Sequence, residues 1–233
     1  MTSTSTPNTS EMATLPSTPD QQPSRSDLGT IVQITVGQGD GAQTFRVFKG
    51  SLRFYSGYFR TAIEDMERSH ASELQLPHDE PETFDLFRRW LYTRELPPVG
   101  DPASRDGWAR LFKLWCFGAR RNIPLLQNET MDTISRWMEE TCTIPTAGLC
   151  YVWENTTKGA LLRTFLVKTM WARFKGAGSL IRSPERYSPE VMYDMLLYGL
   201  ENRPVYQRDP TRFEDLDPCE WHLHEEGVRC KDE

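Results

Sequence analysis

At Lys49 the spacing of apolar residues changes, and that change limits the possible folds more than any other feature of the chain. Before it, IVQITV (residues 31–36) is rich in β-branched residues, and QTFRVF (residues 43–48) alternates Phe45 and Val47 with polar neighbours. Both patterns predict strands. After it, Leu52, Tyr55, Phe59, Ile63 and Met66 recur every three or four positions, which puts them on one face of helical structure. A chain that switches in this way must cover a small sheet with helices.

The same reading extends along the chain. Ser56 stands where its hydroxyl can cap a helix beginning at Gly57. A short strand is predicted over residues 73–76. Pro81 then suits the first turn of a helix, with Asp79 or Glu80 near its cap and a stripe of Phe84, Phe87 and Leu91 widened by Trp90. PPVGDP (residues 97–102) reads as a loop. Trp108, Leu111, Phe112 and Trp115 mark the next helix, and Ile123-Pro124 opens another that carries Met131, Ile134, Trp137 and Met138. From Pro145 to about Glu201 the pattern stays helical. Leu161, Leu162, Phe165, Met170 and Phe174 share one segment; Val191, Met195 and Leu196 form one face of another, opened by Ser188-Pro189, with Gly176 and Gly178 between. The predicted class is α+β, a small mixed sheet flanked by helices and followed by an all-helical extension.

GQGDG (residues 37–41) has the glycines of a phosphate loop but precedes a strand instead of a helix, so a hairpin turn is expected. The stretch FRVFKGSLRFYSGYF (residues 45–59) holds six aromatics in fifteen residues. Most are expected in the core, where full burial of such a side chain stabilises by about 1.5–3 kcal/mol. Phe54 and Tyr55 cannot both turn inward with Phe45, Val47, Leu52 and Phe59, so one of the two is expected at a partner surface.

Charge narrows the functional classes. The net charge is −6, and residues 201–233 contribute −5 of it with ten acids against five bases. A near-neutral body and a pI near 5.4 argue against nucleic-acid binding. No run approaches the length of a membrane span. Five scattered cysteines with no secretory leader before them fit a reducing compartment, cytoplasmic or nuclear. Residues 1–27 are mostly Ser, Thr and Pro and are expected to be a disordered tail. No hydrolase constellation stands out among the four histidines, and carboxylate pairs such as Glu64-Asp65 and Glu139-Glu140 read as solvated helix faces, so no enzyme is expected.

Three separated segments carry a resemblance. Phe45-x-Val47-x-Lys49-x-x-Leu52-x-x-x-Ser56-x-Tyr58-Phe59 resembles the signature of the BTB/POZ domain family. LQLPHDEPETFDLFRRWLYTRELP looks like that family's next strand and helix, and LFKLWCFGARRNIPLLQNETMDTI, with Ile123-Pro124-x-Leu126-x-Asn128, is similar to its closing helices. The resemblance covers residues 28–140. The helical part that follows, 141–201 with YVWENTTKGALLRTFLV, is similar to the continuation of many fungal BTB proteins, and 202–233 remains as an acidic tail. The resemblance implies a protein–protein interaction module, commonly a homodimer, and in one branch an adaptor docked to a cullin ubiquitin-ligase scaffold. This chain departs from the family pattern in carrying Phe48 and Ile31 where a His and an Asp are usual. The cullin-docking branch has an apolar residue followed two positions later by Glu. Here Met66-Glu67-Arg68 keeps the apolar residue and shifts the acid by one, so Met66, Glu67 and Arg68 join Phe54 and Tyr55 as candidate partner contacts.

One cluster stands apart. PCEWHLHEEGVRC places Cys219, His222, His224 and Cys230 within twelve residues. Thiolate and imidazole are the donors of tetrahedral zinc, and Cys-x-x-His can wrap an ion. The ligand order is no two-plus-two knuckle, however. The plain expectation is a metal-free tail without a cofactor. Zinc is the alternative, and a Cys219–Cys230 disulfide is disfavoured in a reducing compartment.

Overall fold

A computed structural model describes residues 15–18, 22–23, 28–96, 105–174, 182–202, 217–224 and 230. Strands β1 (Ile31–Val36) and β2 (Gln43–Phe48) pair antiparallel, and β3 (Glu73–Leu76) adds to the other edge of β1 in parallel, giving the order β2-β1-β3. Between β1 and β2 the chain turns through a short 3₁₀ segment at Gly39–Gly41. Gly37 and Gly39 take φ of +87° and +59°, a region that glycine enters without steric cost. The glycine-rich stretch is therefore the turn that the sequence predicts.

Alternation makes the sheet one-sided. Val32, Ile34, Val36, Phe45, Val47 and Leu76 are buried on one face. On the other, Thr35 reaches the Thr44 hydroxyl at 3.1 Å and donates to Glu73 at 3.2 Å. Ile31 sits opposite Phe48 in the register, so the two apolar replacements noted in the sequence are neighbours. Ile31 is exposed, and Phe48 packs edge-on against exposed Tyr92.

Helices α1 (Lys49–Tyr55), α2 (Gly57–Arg68) and α3 (Pro81–Thr93) cover the buried face. Ser56 caps α2 as expected: its Oγ accepts from the Phe59 N–H at 3.0 Å and donates to the Arg121 carbonyl at 2.6 Å. Pro81 occupies the first turn of α3, and that helix ends at Arg94 in the left-handed region.

Helices α4 (Arg105–Arg120) and α5 (Pro124–Thr141) form a hairpin that belongs to two cores. Leu114, Phe117, Leu125 and Leu126 close the sheet core. Trp108, Leu111, Phe112, Trp115, Met131, Ile134, Trp137 and Met138 build a second core with α6 (Leu149–Asn155), α7 (Leu161–Arg173) and α8 (Pro189–Glu201). The boundary at residue 140 thus falls at the end of a helix that both parts share. The helical extension packs on the first part of the chain through this hairpin.

Of the expected disordered tail over residues 1–27, the structure describes 15–18 and 22–23. Pro16 is buried, and the Ser17 carbonyl accepts a hydrogen bond from Asn128 Nδ2 at 3.1 Å. A few apolar or backbone groups suffice where a ready partner lies opposite. Residues 1–14, 19–21 and 24–27, the loop at 97–102, Gly176, Gly178 and most of 203–233 lie outside the described residues. Among the described residues no helix is long and apolar enough to cross a membrane.

Candidate functional site

The cysteine- and histidine-rich segment lies against the helical core. Trp221 is buried, with its ring 5.3 Å from that of Phe165 on α7, and Glu220 pairs with Lys168. On α5, the buried Asn128 holds the backbone of Leu223 twice: the Leu223 N–H donates to Asn128 Oδ1 at 2.6 Å, and Asn128 Nδ2 donates to the Leu223 carbonyl at 3.0 Å. One turn further on, the Asp132 carboxylate lies 2.6 Å from His222 Nε2. Two α5 residues four apart, on one helix face, therefore fix the segment in place.

This docking gathers the sulfur and nitrogen donors. The ligand atoms of Cys219, His224 and Cys230 all lie within 4.8 Å of one another and could hold a metal ion. His224 Nε2 is 3.4 Å from Cys230 Sγ, and His222 Nδ1 is 3.0 Å from the same sulfur. The Cys230 N–H donates to Cys219 Sγ at 2.9 Å. Both cysteines are free thiols, so the disulfide alternative is not formed. Burial, followed by the neighbouring Cys219, pushes the Cys230 thiol up to about 12, and burial followed by the neighbouring His222 lowers His224, which favours its neutral ligand form. His224 Nδ1 is buried and has no hydrogen-bond partner among the described residues.

The candidate partner contacts around α1 and α2 separate on inspection. Tyr55 is buried, with its ring beneath the Arg94 guanidinium at 5.1 Å and against Trp90 at 5.3 Å. It is a core residue, not a surface contact. Phe54 is the half-buried member of the pair and lines an open pocket with Lys49, Arg53 and Glu67. Met66 is also corrected: it lies in the sheet core at 7% exposure because it follows Ile63 on the inward face of α2. Glu67 is engaged by Lys49 at 3.0 Å and Arg53 at 2.9 Å, and Arg68 pairs with Asp65. The segment resembling a cullin contact therefore presents no apolar anchor at the surface.

An apolar surface lies elsewhere. On α8, Val191, Met195 and Gly199 face the core, while Tyr193, Leu196 and Leu200 are 56%, 60% and 52% exposed and Met192 lies beside them at 40%. Leu196, expected on the same face as Val191 and Met195, turns outward. The sequence signal is a helix apolar on two faces, with a second stripe at Tyr193, Leu196 and Leu200. The chain matches no protein-family model and no curated protein.

Proposed function

We propose that this chain is a non-enzymatic protein–protein interaction module of the BTB/POZ type whose outer α8 face pairs with a second copy of the chain. The observation that carries this reading is the exposed stripe of Tyr193, Leu196 and Leu200 on a helix whose opposite face is already packed. Its three-and-four spacing is that of a helix–helix seam. In an antiparallel two-fold pairing Leu196 lies nearest the axis and Tyr193 meets Leu200 of the second copy. Lys158, whose Nζ lies 5.4 Å from the Tyr193 ring centre, would then approach exposed Glu201 of that copy. The order of strands and helices that the family resemblance implies supports an interaction module of this class. A helix of 13 residues spans about 20 Å, too short to supply a standard interface alone, so the pairing is expected to be reversible. A photo-crosslinking residue at Leu196 is expected to give a covalent dimer, whereas the same residue at exposed Glu64 on α2 gives none. Equal crosslinking at both positions, or adducts only to other proteins, would remove the self-pairing.

A second reading rests on the C-terminal cluster: the donor set is that of a structural zinc site. Zinc would replace the protons on the two thiols and tie the segment that holds them to the helical core. Chain purified without a polyhistidine tag is expected to carry one zinc per molecule. Cys219→Ala should abolish that content, and chelation should lower the thermal midpoint. Zinc content unchanged by Cys219→Ala would exclude this site.

A further inference from the structure

The clustered ligands account for three donors, and a closed structural zinc site needs four. We infer that His222 supplies the fourth through Nδ1 and that Asp132 on α5 positions its ring, so that zinc binding and docking of the C-terminal segment on α5 are a single event. This inference rests on the zinc reading given above.

The distances support the assignment. Zinc–sulfur bonds of about 2.3 Å and zinc–nitrogen bonds of about 2.0–2.1 Å at tetrahedral angles put neighbouring sulfur and nitrogen donors about 3.5 Å apart. His224 Nε2 and His222 Nδ1 stand 3.4 and 3.0 Å from Cys230 Sγ. The two imidazoles are 5.9 Å apart between ring centres, so both can approach one sulfur from different sides. His222 stands outside the three mutually close donors, so its ring has to move towards Cys219 and His224 when the ion binds, while Nδ1 stays beside Cys230.

The other nitrogen of His222 decides the role of Asp132. A histidine that ligates a metal through one nitrogen commonly gives its second N–H to a carboxylate, which fixes the tautomer and the ring plane and raises ligand basicity. Here His222 Nε2 lies 2.6 Å from Asp132 Oδ1, so the N–H at Nε2 donates to the carboxylate and Nδ1 keeps its lone pair towards Cys230. The Asp132 carboxylate belongs to a helix of the core, ninety positions away in sequence. The site is therefore complete only when the segment lies on α5. Asn128 sets the same register from the preceding turn by holding Leu223, the residue between the two histidines. The interaction between Asp132 and His222 thus couples metal affinity to the docked state, and the coupling acts in both directions.

Asp132 is a positioning residue, and its side chain is 54% exposed, so its loss should leave the fold intact. Zinc affinity is measured by competition with a chromophoric chelator on the full chain, and cobalt(II) substitution reports ligand number and type through its visible spectrum. Asp132→Ala is expected to weaken zinc binding about 10–100-fold while the melting midpoint of the metal-free chain stays unchanged. Asp132→Asn, which keeps an acceptor oxygen, should lose less. His222→Ala should also change the cobalt spectrum from that of two sulfurs and two nitrogens. If the wild-type chain binds no zinc, the zinc reading fails and this inference falls with it. If the wild type binds zinc and Cys219→Ala does not, but the Asp132 variants bind as tightly as wild type, only the inference is overturned.

Discussion

Replacing Asp79 by alanine is expected to cost about 3–5 kcal/mol of folding stability, the range found when one partner of a buried ion pair is removed. Asp79 follows β3 and precedes α3, and its side chain is 1% exposed. Its Oδ1 accepts from Arg120 Nη2 at 3.2 Å, and its Oδ2 accepts from Arg121 Nε at 3.1 Å and also from Arg121 Nη2. Arg121 also lies 4.0 Å over the Tyr58 ring. One carboxylate thus joins the β3–α3 connection, the end of α4 and the surface of α2. Without it Arg121, only 13% exposed, keeps its charge and loses its counter-charge. Denaturant unfolding should show a lower midpoint at an unchanged slope. Asp79→Asn, which retains an acceptor, should lose less than Asp79→Ala. A loss below about 1 kcal/mol would mean that the pair behaves as a solvent-screened surface contact.

Phe84→Ala is expected to be comparably damaging, at about 3–5 kcal/mol. Phe84 has no exposed surface, and its ring lies between those of Phe45 at 4.9 Å, Phe87 at 5.7 Å, Phe117 at 6.1 Å and Phe59 at 6.4 Å. These five rings come from β2, α2, α3 and α4, so the substitution opens a cavity where four elements meet. Phe45 and Phe59 are the two residues that the aromatic-rich stretch 45–59 contributes to that cluster. Phe48→Ala is the internal comparison. Its ring packs at the edge against exposed Tyr92, and a much smaller loss in unfolding free energy is expected there. Equal losses at Phe84 and Phe48 would contradict the assignment of the core.

What could be read in the sequence follows from the range of each interaction. The strands, the change of period at Lys49, the Ser56 cap and the placement of Pro81 all depend on residues within a few positions of one another, and the structure has them where local patterning puts them. Tyr55 and Met66 are different. Both belong to the inward stripe of their helices, yet crowding among the aromatics made Tyr55 a candidate partner contact and resemblance to a family surface made Met66 one, and their burial shows that the stripe decides. Leu196 illustrates the converse, since an apolar residue one position from a core stripe can lie on a second face. Within the cysteine–histidine cluster the donor types are legible because they sit in twelve residues. Asp132 and Asn128 are not, because a carboxylate and an amide on a helix some ninety residues earlier carry no local mark of the segment that they hold. The same holds for Ser17, which meets Asn128 across 111 positions.

The central claim, that the α8 face joins two copies of the chain, is tested most directly by the solution mass from light scattering across a dilution series, for the wild-type chain and for Leu196→Glu. A charge at the position nearest the two-fold axis would face its own copy and oppose association. The account predicts that the wild-type mass falls on dilution from that of a dimer to the 27.0 kDa of one chain, while Leu196→Glu remains at one chain throughout. A wild-type chain that is monomeric at every concentration, or a dimer that Leu196→Glu leaves intact, would contradict it.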